Sequence, residues 1–219
     1  VVGLGYVGLP TAAVLASRGY AVHGVEVRAE VVDVINAGRA HVVEPDLDLL
    51  VRAAVQMGNL KAHLQPTVCD VFLIAVPTPM TVYHRADLSM VYAATETICP
   101  YLKPGNLVVL ESTSPPGTTE EMARIIKEKT GMVSPQVMVA HAPERVLPGK
   151  VIREVVENDR IVGGVDAAST EACANFYRTF VTGDLLLTDC RTAETAKLVE
   201  NSYRDVNIAF ANELSLLCD

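Results

Sequence analysis

Short runs of consecutive apolar, often β-branched residues alternate along the chain with longer stretches whose apolar positions repeat every three or four residues. Ala21–Val25, Val71–Val76, Leu107–Leu110, Val137–Ala140, Arg160–Gly163 and Leu185–Thr188 read as strands. Pro10–Arg18, Glu30–Asn36, Leu47–Gln56, Ser89–Leu102, Thr119–Lys129 and Ala167–Phe180 read as helices between them. Several strands are apolar at successive positions instead of alternating, the pattern of strands covered on both faces of a parallel sheet. The alternation therefore predicts an α/β fold, a doubly wound parallel sheet of Rossmann-like type, followed by a long connecting helix. That helix covers Thr192 to Cys218, about seven turns. Its apolar residues spread over much of its circumference, which predicts a buried connector and not a surface helix. The expected division is residues 1–190 as one domain and 191–219 as the start of the linking helix.

Both ends carry expectations of their own. Val1-Val2 leads straight into a glycine turn at Gly3, and strands usually run about five or six residues, so the pattern implies residues before Val1. Asn207 to Asp219 stops in mid-helix without a capping signal.

Composition narrows the function classes. Half of the 219 residues are hydrophobic and 20% are charged, enough apolar material for a sizeable core and too much for a disordered chain. The net charge of −8 comes without any Lys/Arg cluster, which argues against nucleic-acid or anionic-membrane partners. With 5% aromatics and no Trp, a base-stacking platform is not expected either. The longest apolar run, Val71–Val76, is far below the roughly 20 residues that span a bilayer, and no basic-then-apolar leader opens the chain. Five cysteines (Cys69, Cys99, Cys173, Cys190, Cys218) are odd in number and never form a CxxC pair. They read as free thiols of a cytoplasmic protein, with no zinc-site spacing.

The strongest local chemistry lies at the start. Gly3-Leu4-Gly5-Tyr6-Val7-Gly8 matches GxGxxG between a strand and a helix. Gly3 permits the tight turn, Gly5 lets a pyrophosphate approach the backbone, and Gly8 lets the helix pack on the strand. The helix N-terminus then offers free N–H groups and the positive end of its dipole to the phosphates. The next strand ends in Glu26, near the spacing expected of an acid that accepts both ribose hydroxyls and repels a 2′-phosphate. The expected cofactor is NAD, with Arg28 tempering the preference over NADP.

Other polar motifs fall at successive strand ends, where doubly wound sheets bind ligands. Val76-Pro77-Thr78-Pro79 makes a rigid turn. Glu111-Ser112-Thr113-Ser114-Pro115-Pro116-Gly117-Thr118-Thr119 makes another and supplies an N-cap for the following helix. Ala142 to Lys150 brings Glu144, Arg145 and a Pro-Gly turn to the same rim. Arg145 can grip a phosphate or carboxylate in two parallel bonds, or form a plain solvated pair with Glu144. On the last helix Lys197, Asn201, Arg204 and Ile208 share a face. They suit a site of developing negative charge, with Lys197 as proton donor and Asn201 as oxyanion donor. The alternative is an exposed polar stripe, with Glu200 and Asp205 beside it.

Together the segments GLGYVGLPTAA, AVPTP, ESTSPPGTTE, APERVLPGK, ENDRIVGG and ENSYRDVNIAFANELSLLC resemble the UDP-glucose/GDP-mannose dehydrogenase family over the whole chain. They are most similar to its branch acting on UDP-N-acetyl-D-mannosamine. The UDP-glucose branch carries a PEFL-like run in place of Pro143-Glu144-Arg145-Val146, and apolar and small residues in place of Arg204-Asp205. The resemblance implies oxidation of the sugar C6 alcohol to a carboxylate in two hydride transfers, consuming two NAD, as in polysaccharide biosynthesis. It implies Tyr6, Val7, Glu26, Thr78 and Thr113 along the NAD site, Thr113 also belonging to the catalytic set. Arg145 and Val146 should touch the nucleotide sugar, with Lys197, Asn201 and Arg204 around its reacting end. Glu144 should place a water or relay protons, Lys197 should be the general acid/base, and the long helix should pair two subunits. Where the family usually has Asp on the second strand, this chain has Glu26. The family's nucleophilic cysteine lies in a GGHC-like segment downstream of the long helix, and Cys218 does not match it. The implied fragment binds NAD without the thiol or the C-terminal sugar-nucleotide domain. A UDP-glucose 6-dehydrogenase and a non-catalytic NAD-binding module are the alternatives.

Overall fold

The computed structural model describes residues 1–218; Asp219, the last residue of the expected helix segment, lies outside them. The element order is α1 (Gly8–Ser17), β1 (Val22–Val25), α2 (Ala29–Asn36), α3 (Leu47–Gln56), β2 (Leu60–His63), β3 (Val71–Ile74), α4 (Ser89–Ile98), β4 (Asn106–Leu110), α5 (Thr118–Thr130), β5 (Val137–His141), α6 (Val151–Glu157), β6 (Arg160–Gly164), α7 (Ala167–Tyr177), β7 (Leu185–Asp189) and α8 (Cys190–Cys218). A single 3₁₀ turn, Cys99–Tyr101, ends the stretch expected to continue as helix to Leu102.

Two residues of opening strand suffice to join the sheet. Val2 bridges Val25 on one side and Ile74 on the other, both parallel. Four backbone hydrogen bonds of 2.7–2.8 Å flank it, from Val2 to Leu73, Gly3 to Val25, Val25 to Val1 and Ala75 to Val2. The strand order is thus β2-β1, then Val2, then β3-β4-β5-β6-β7. The chain leaves the opening strand in one direction to β1 and later returns on its other side at β3. Such a reversal opens a crevice at the strands' C-terminal ends, where dinucleotides bind.

The expected parallel sheet needs one correction: β5 and β6 pair antiparallel, through Ala140↔Gly164 and His141↔Gly163. Two elements escaped the apolar pattern. β2 alternates buried and exposed positions around Lys61, and the seven-residue α6 follows a loop rich in Pro and Gly.

The core lies on both faces of the sheet. Leu73, Leu107 and Val109 face Leu9, Val51, Val155 and Tyr177 of the helices on one side. Phe72, Val108 and Leu110 face Val91, Ile98, Met122 and Ile126 of α4 and α5 on the other. β4 is buried at all five positions, as consecutive apolar residues require in a sheet covered twice.

The long helix departs from its sequence reading. Only Cys190, Ala193, Glu194 and Lys197 of α8 are buried, and every described residue from Asn201 onward is exposed. Among the described residues no other element covers its far turns, and α8 projects there as a surface helix. The root of α8 is held firmly. Glu194 is fully buried and accepts hydrogen bonds from Gly117 N (2.7 Å), Thr119 N (2.8 Å) and Thr119 Oγ1 (2.6 Å). The expected cap of α5 from its own preceding motif is therefore corrected. Its N-cap residue Gly117 sits at φ +99° with no side-chain cap, and a carboxylate 75 or more residues away takes the role.

Candidate functional site

The glycine turn is built for close approach. Gly3 adopts φ +89°, and a Cβ there would lie 2.7 Å from the Ala75 carbonyl. A Cβ on Gly8 would meet the Gly3 carbonyl at 1.9 Å, so α1 can start against the strand only through a glycine. Gly5 is different. Nothing lies within 4 Å of its missing Cβ, so its backbone faces open space. Val7 caps α1 without a side-chain hydrogen bond, which leaves the helix's first N–H groups without a side-chain acceptor. An open backbone at a helix N-terminus fits a dinucleotide pyrophosphate.

That space opens into a cleft of about 440 Å³ at the C-terminal ends of the opening strand, β3 and β4. Gly5, Tyr6, Val7, Thr78, Thr113, Glu144, Val146, Lys197, Asn201 and Arg204 all line it, so residues from five motifs meet in one place. The strand-end turns are tied together. Thr78 Oγ1 donates to the Thr113 carbonyl (2.7 Å) and Ser112 Oγ to the Val76 carbonyl (2.7 Å). Tyr6 donates to Glu44 (2.9 Å), whose carboxylate also accepts from Gly149 N (2.9 Å) and Val151 N (2.8 Å). One buried acid thus links the glycine turn, the loop after β5 and the start of α6.

The remaining expected residues lie outside the cleft wall. Gly3 and Gly8 form its support. Glu26 follows β1 directly and accepts from the N–H (3.3 Å) and Nε (3.1 Å) of Arg28. Burial opposes ionisation of Glu26, but these bonds and the Arg28 charge outweigh it and hold the carboxyl below its usual range. Arg145 points along the rim to Glu200 (Nε to Oε1, 2.9 Å), an oxygen that Arg204 also reaches at 3.2 Å. The solvated Glu144–Arg145 pair does not form between side chains. Glu144 instead accepts from the Arg145 N–H (2.8 Å) and pairs with Arg160.

Arg160 is the residue the sequence reading missed. It is 3% exposed, holds Glu144 through Nη2, lies 3.7 Å from Glu111, and stacks 4.5 Å above the Tyr177 ring. Glu111 also lines the cleft and accepts from the Tyr177 hydroxyl (2.7 Å). Burial pushes the Glu111 carboxyl up to about 7, with Arg160 opposing and Glu144 adding to the rise. Lys197, 9% exposed, has its pKa lowered by burial against the pull of Glu200 and Glu144. A lysine so placed accepts and returns a proton more readily than a solvated one. None of the five cysteines lines the cleft, and among the described residues no trio of His, Cys, Asp or Glu is grouped to hold a metal ion. Among the described residues no helix is long and apolar enough to cross a membrane.

Comparison with known proteins agrees with this geometry. Residues 1–181 match the UDP-glucose/GDP-mannose dehydrogenase family, NAD binding domain, and residues 191–219 match its central domain. All of the chain is 55% identical to the NDP-N-acetyl-D-galactosaminuronic acid dehydrogenase of Ralstonia nicotianae, covering 54% of that protein. It is 52% identical to the UDP-N-acetyl-D-mannosamine dehydrogenase of Campylobacter jejuni, again over the whole chain and 56% of the relative. The solved UDP-D-ManNAc dehydrogenase of Pyrococcus horikoshii superposes with a TM-score of 0.96 at 46% identity, over 99% of this chain and 53% of that one. The chain spans about half the length of the curated relatives it matches. With a matching domain over residues 1–181 and a glycine turn opening onto the cleft, the chain belongs to the UDP-glucose/GDP-mannose dehydrogenase family and carries its NAD-binding domain.

Proposed function

We propose that this chain is the cofactor-binding part of an NAD-dependent nucleotide-sugar 6-dehydrogenase that oxidises the C6 alcohol of UDP-N-acetyl-D-mannosamine to the uronate in two hydride transfers. The observation that carries the reading is the convergence of the glycine turn with Thr113, Glu144, Lys197 and Asn201 on one cleft. NAD, when bound, supplies the hydride acceptor. The chain's own residues do the rest. Gly5 and the first N–H groups of α1 receive the pyrophosphate, and Thr78 and Thr113 line the strand-end wall beyond it. Lys197 takes the alcohol proton, and Asn201 donates a hydrogen bond to the oxygen on which charge develops. Glu144, pinned by Arg160, orients the water of the second oxidation. Val146 and Arg204 face the sugar nucleotide; Arg145 reaches it by exchanging its Glu200 contact for a substrate anion. No cysteine of the cleft is available as nucleophile, so the covalent step belongs to the remainder of the protein.

We further propose that the exposed apolar stripe Val199, Tyr203, Val206 and Phe210 of α8 is covered by a second copy of the chain, giving a homodimer. The expected setting is the cytoplasm, in polysaccharide precursor synthesis.

The test is steady-state turnover by the intact protein. UDP-N-acetyl-D-mannosamine should yield two NADH per sugar, while UDP-glucose and the N-acetylgalactosamine counterpart should turn over at least tenfold more slowly, roughly the discrimination one well-placed contact supplies. Lys197→Ala should abolish turnover. NAD binding without turnover of any sugar nucleotide by the intact protein would favour the non-catalytic module, full activity of Lys197→Ala would remove that lysine from the chemistry, and preferred use of UDP-glucose would favour the other dehydrogenase.

A further inference from the structure

Glu111, at the end of β4, stands in a setting that the sugar chemistry does not explain. Its Oε1 accepts from Tyr177, and its Oε2 is buried with no hydrogen-bond partner. One guanidinium, Arg160, faces both Glu111 and Glu144. Lys197 lines the same cleft but forms no ion pair within 4 Å with either carboxyl among the described residues. A single cation neutralises a single carboxylate. The second acid of a dry compartment then carries an uncompensated charge or a proton, and desolvation favours the proton. The burial-driven rise of Glu111 to about 7 agrees. The titratable groups around it are Tyr177 and Cys173 on α7, Arg160 on β6 and Glu144 after β5.

The cleft runs from Gly5 past Thr78 to Glu111 and Thr113, whereas Glu26 lies on the other flank of the glycine turn. With the pyrophosphate at Gly5 and the adenosine toward Glu26, the nicotinamide half of the cofactor belongs to the Glu111 side. Oxidised nicotinamide carries one positive charge and the reduced ring carries none.

We propose that Glu111 reads the redox state of the cofactor: its carboxyl holds a proton in the free protein and gives it up when the cationic ring of NAD⁺ enters the cleft. The O–H bond breaks, its electron pair stays on the carboxylate, the proton passes to the buffer, and no electrons are exchanged. The resulting anion favours NAD⁺ over NADH. The idea rests on the NAD site and is independent of which sugar is oxidised.

Calorimetric titration of the intact protein, without sugar, tests it. NAD⁺ and NADH are each titrated at pH 7 in two buffers of different ionisation enthalpy. The expected result is proton release on binding NAD⁺, and several-fold less for NADH. E111Q should release none with either form and should narrow the affinity gap between them. Equal release by both cofactors in the unmodified protein, a comparison needing no variant, overturns the proposal. So does NAD⁺-linked release that persists in E111Q. Failure of both cofactors to bind would sink the NAD site itself, and the proposal with it.

Discussion

The cleft has two arginine–carboxylate clusters, built from the same residue types and opposite in physical character. On the floor, Arg160 joins Glu144 and Glu111 with at most 4% of any of their side chains exposed. On the rim, Arg145 and Arg204 share Glu200, and both arginine side chains are about half exposed (50% and 48%). Water screens the rim pair, so its bonds form and break at little cost and are free to be exchanged for a ligand's charge. Burial keeps solvent from replacing a lost partner on the floor, so its geometry is held and the Glu111 carboxyl is pushed upward. One cluster is suited to capture and release, the other to keeping groups in place.

The largest effect should come from breaking the floor. Arg160→Met strands two buried carboxyl groups and should cost about 3–5 kcal/mol in denaturant unfolding; a loss below about 1 kcal/mol would show that the floor behaves like the rim. Next comes acid. His141 ends β5 fully buried, neither ring nitrogen reaching a partner, and burial lowers its pKa to about 3. The folded state keeps it neutral while the unfolded chain protonates near 6.5, so stability present above that pH is lost as pH falls toward 3. His141→Phe should flatten that limb by about 3 kcal/mol at pH 4, on the scale of 1.4 kcal/mol per unit. Glu111 acts in the opposite sense. Its raised value makes stability fall as pH climbs from 4.5 to 7, so unfolding curves of E111Q should lose that decline. Glu194→Ala removes three hydrogen bonds from the start of α5 and should cost about 2 kcal/mol, with earlier hydrogen exchange at Thr119. The smallest change should be Arg145→Ala, within about 1 kcal/mol in the same unfolding assay.

What the sequence reveals follows the range of the interactions. The glycine turn, the strand ends and the shared face of Lys197, Asn201 and Arg204 are local patterns, and they meet in the cleft as the alternation of elements implies. The floor is not local. Glu111 and Tyr177 are 66 positions apart, and Arg160 opens a strand whose apolar remainder shows only a sheet. Nothing in the spacing of these residues marks a shared compartment; a charged residue at the first position of an apolar strand was the one available signal. The cap of α5 escaped for the same reason, since its carboxylate arrives from α8. β2 was missed because Lys61 and His63 alternate with its apolar residues, where the equally short β3 is apolar throughout, and α6 because seven residues are too few for a helical period to show. The misreading of α8 has a different origin. Apolar residues around a helix announce that something covers them, and the pattern is silent on whether the cover is in the same chain.

The anchoring of α8 makes it a lever. Its root is bolted to α5 through Glu194, Lys197 stands one turn further on at the cleft, and the helix then runs free for about 30 Å at 1.5 Å per residue. A swing of a few degrees displaces its tip by ångströms while moving the lysine by only a fraction of one. Whatever grips the far turns can therefore trim the position of the Lys197 amine with fine mechanical gearing, and the strength of the Glu194 bolt sets how faithfully that adjustment is delivered.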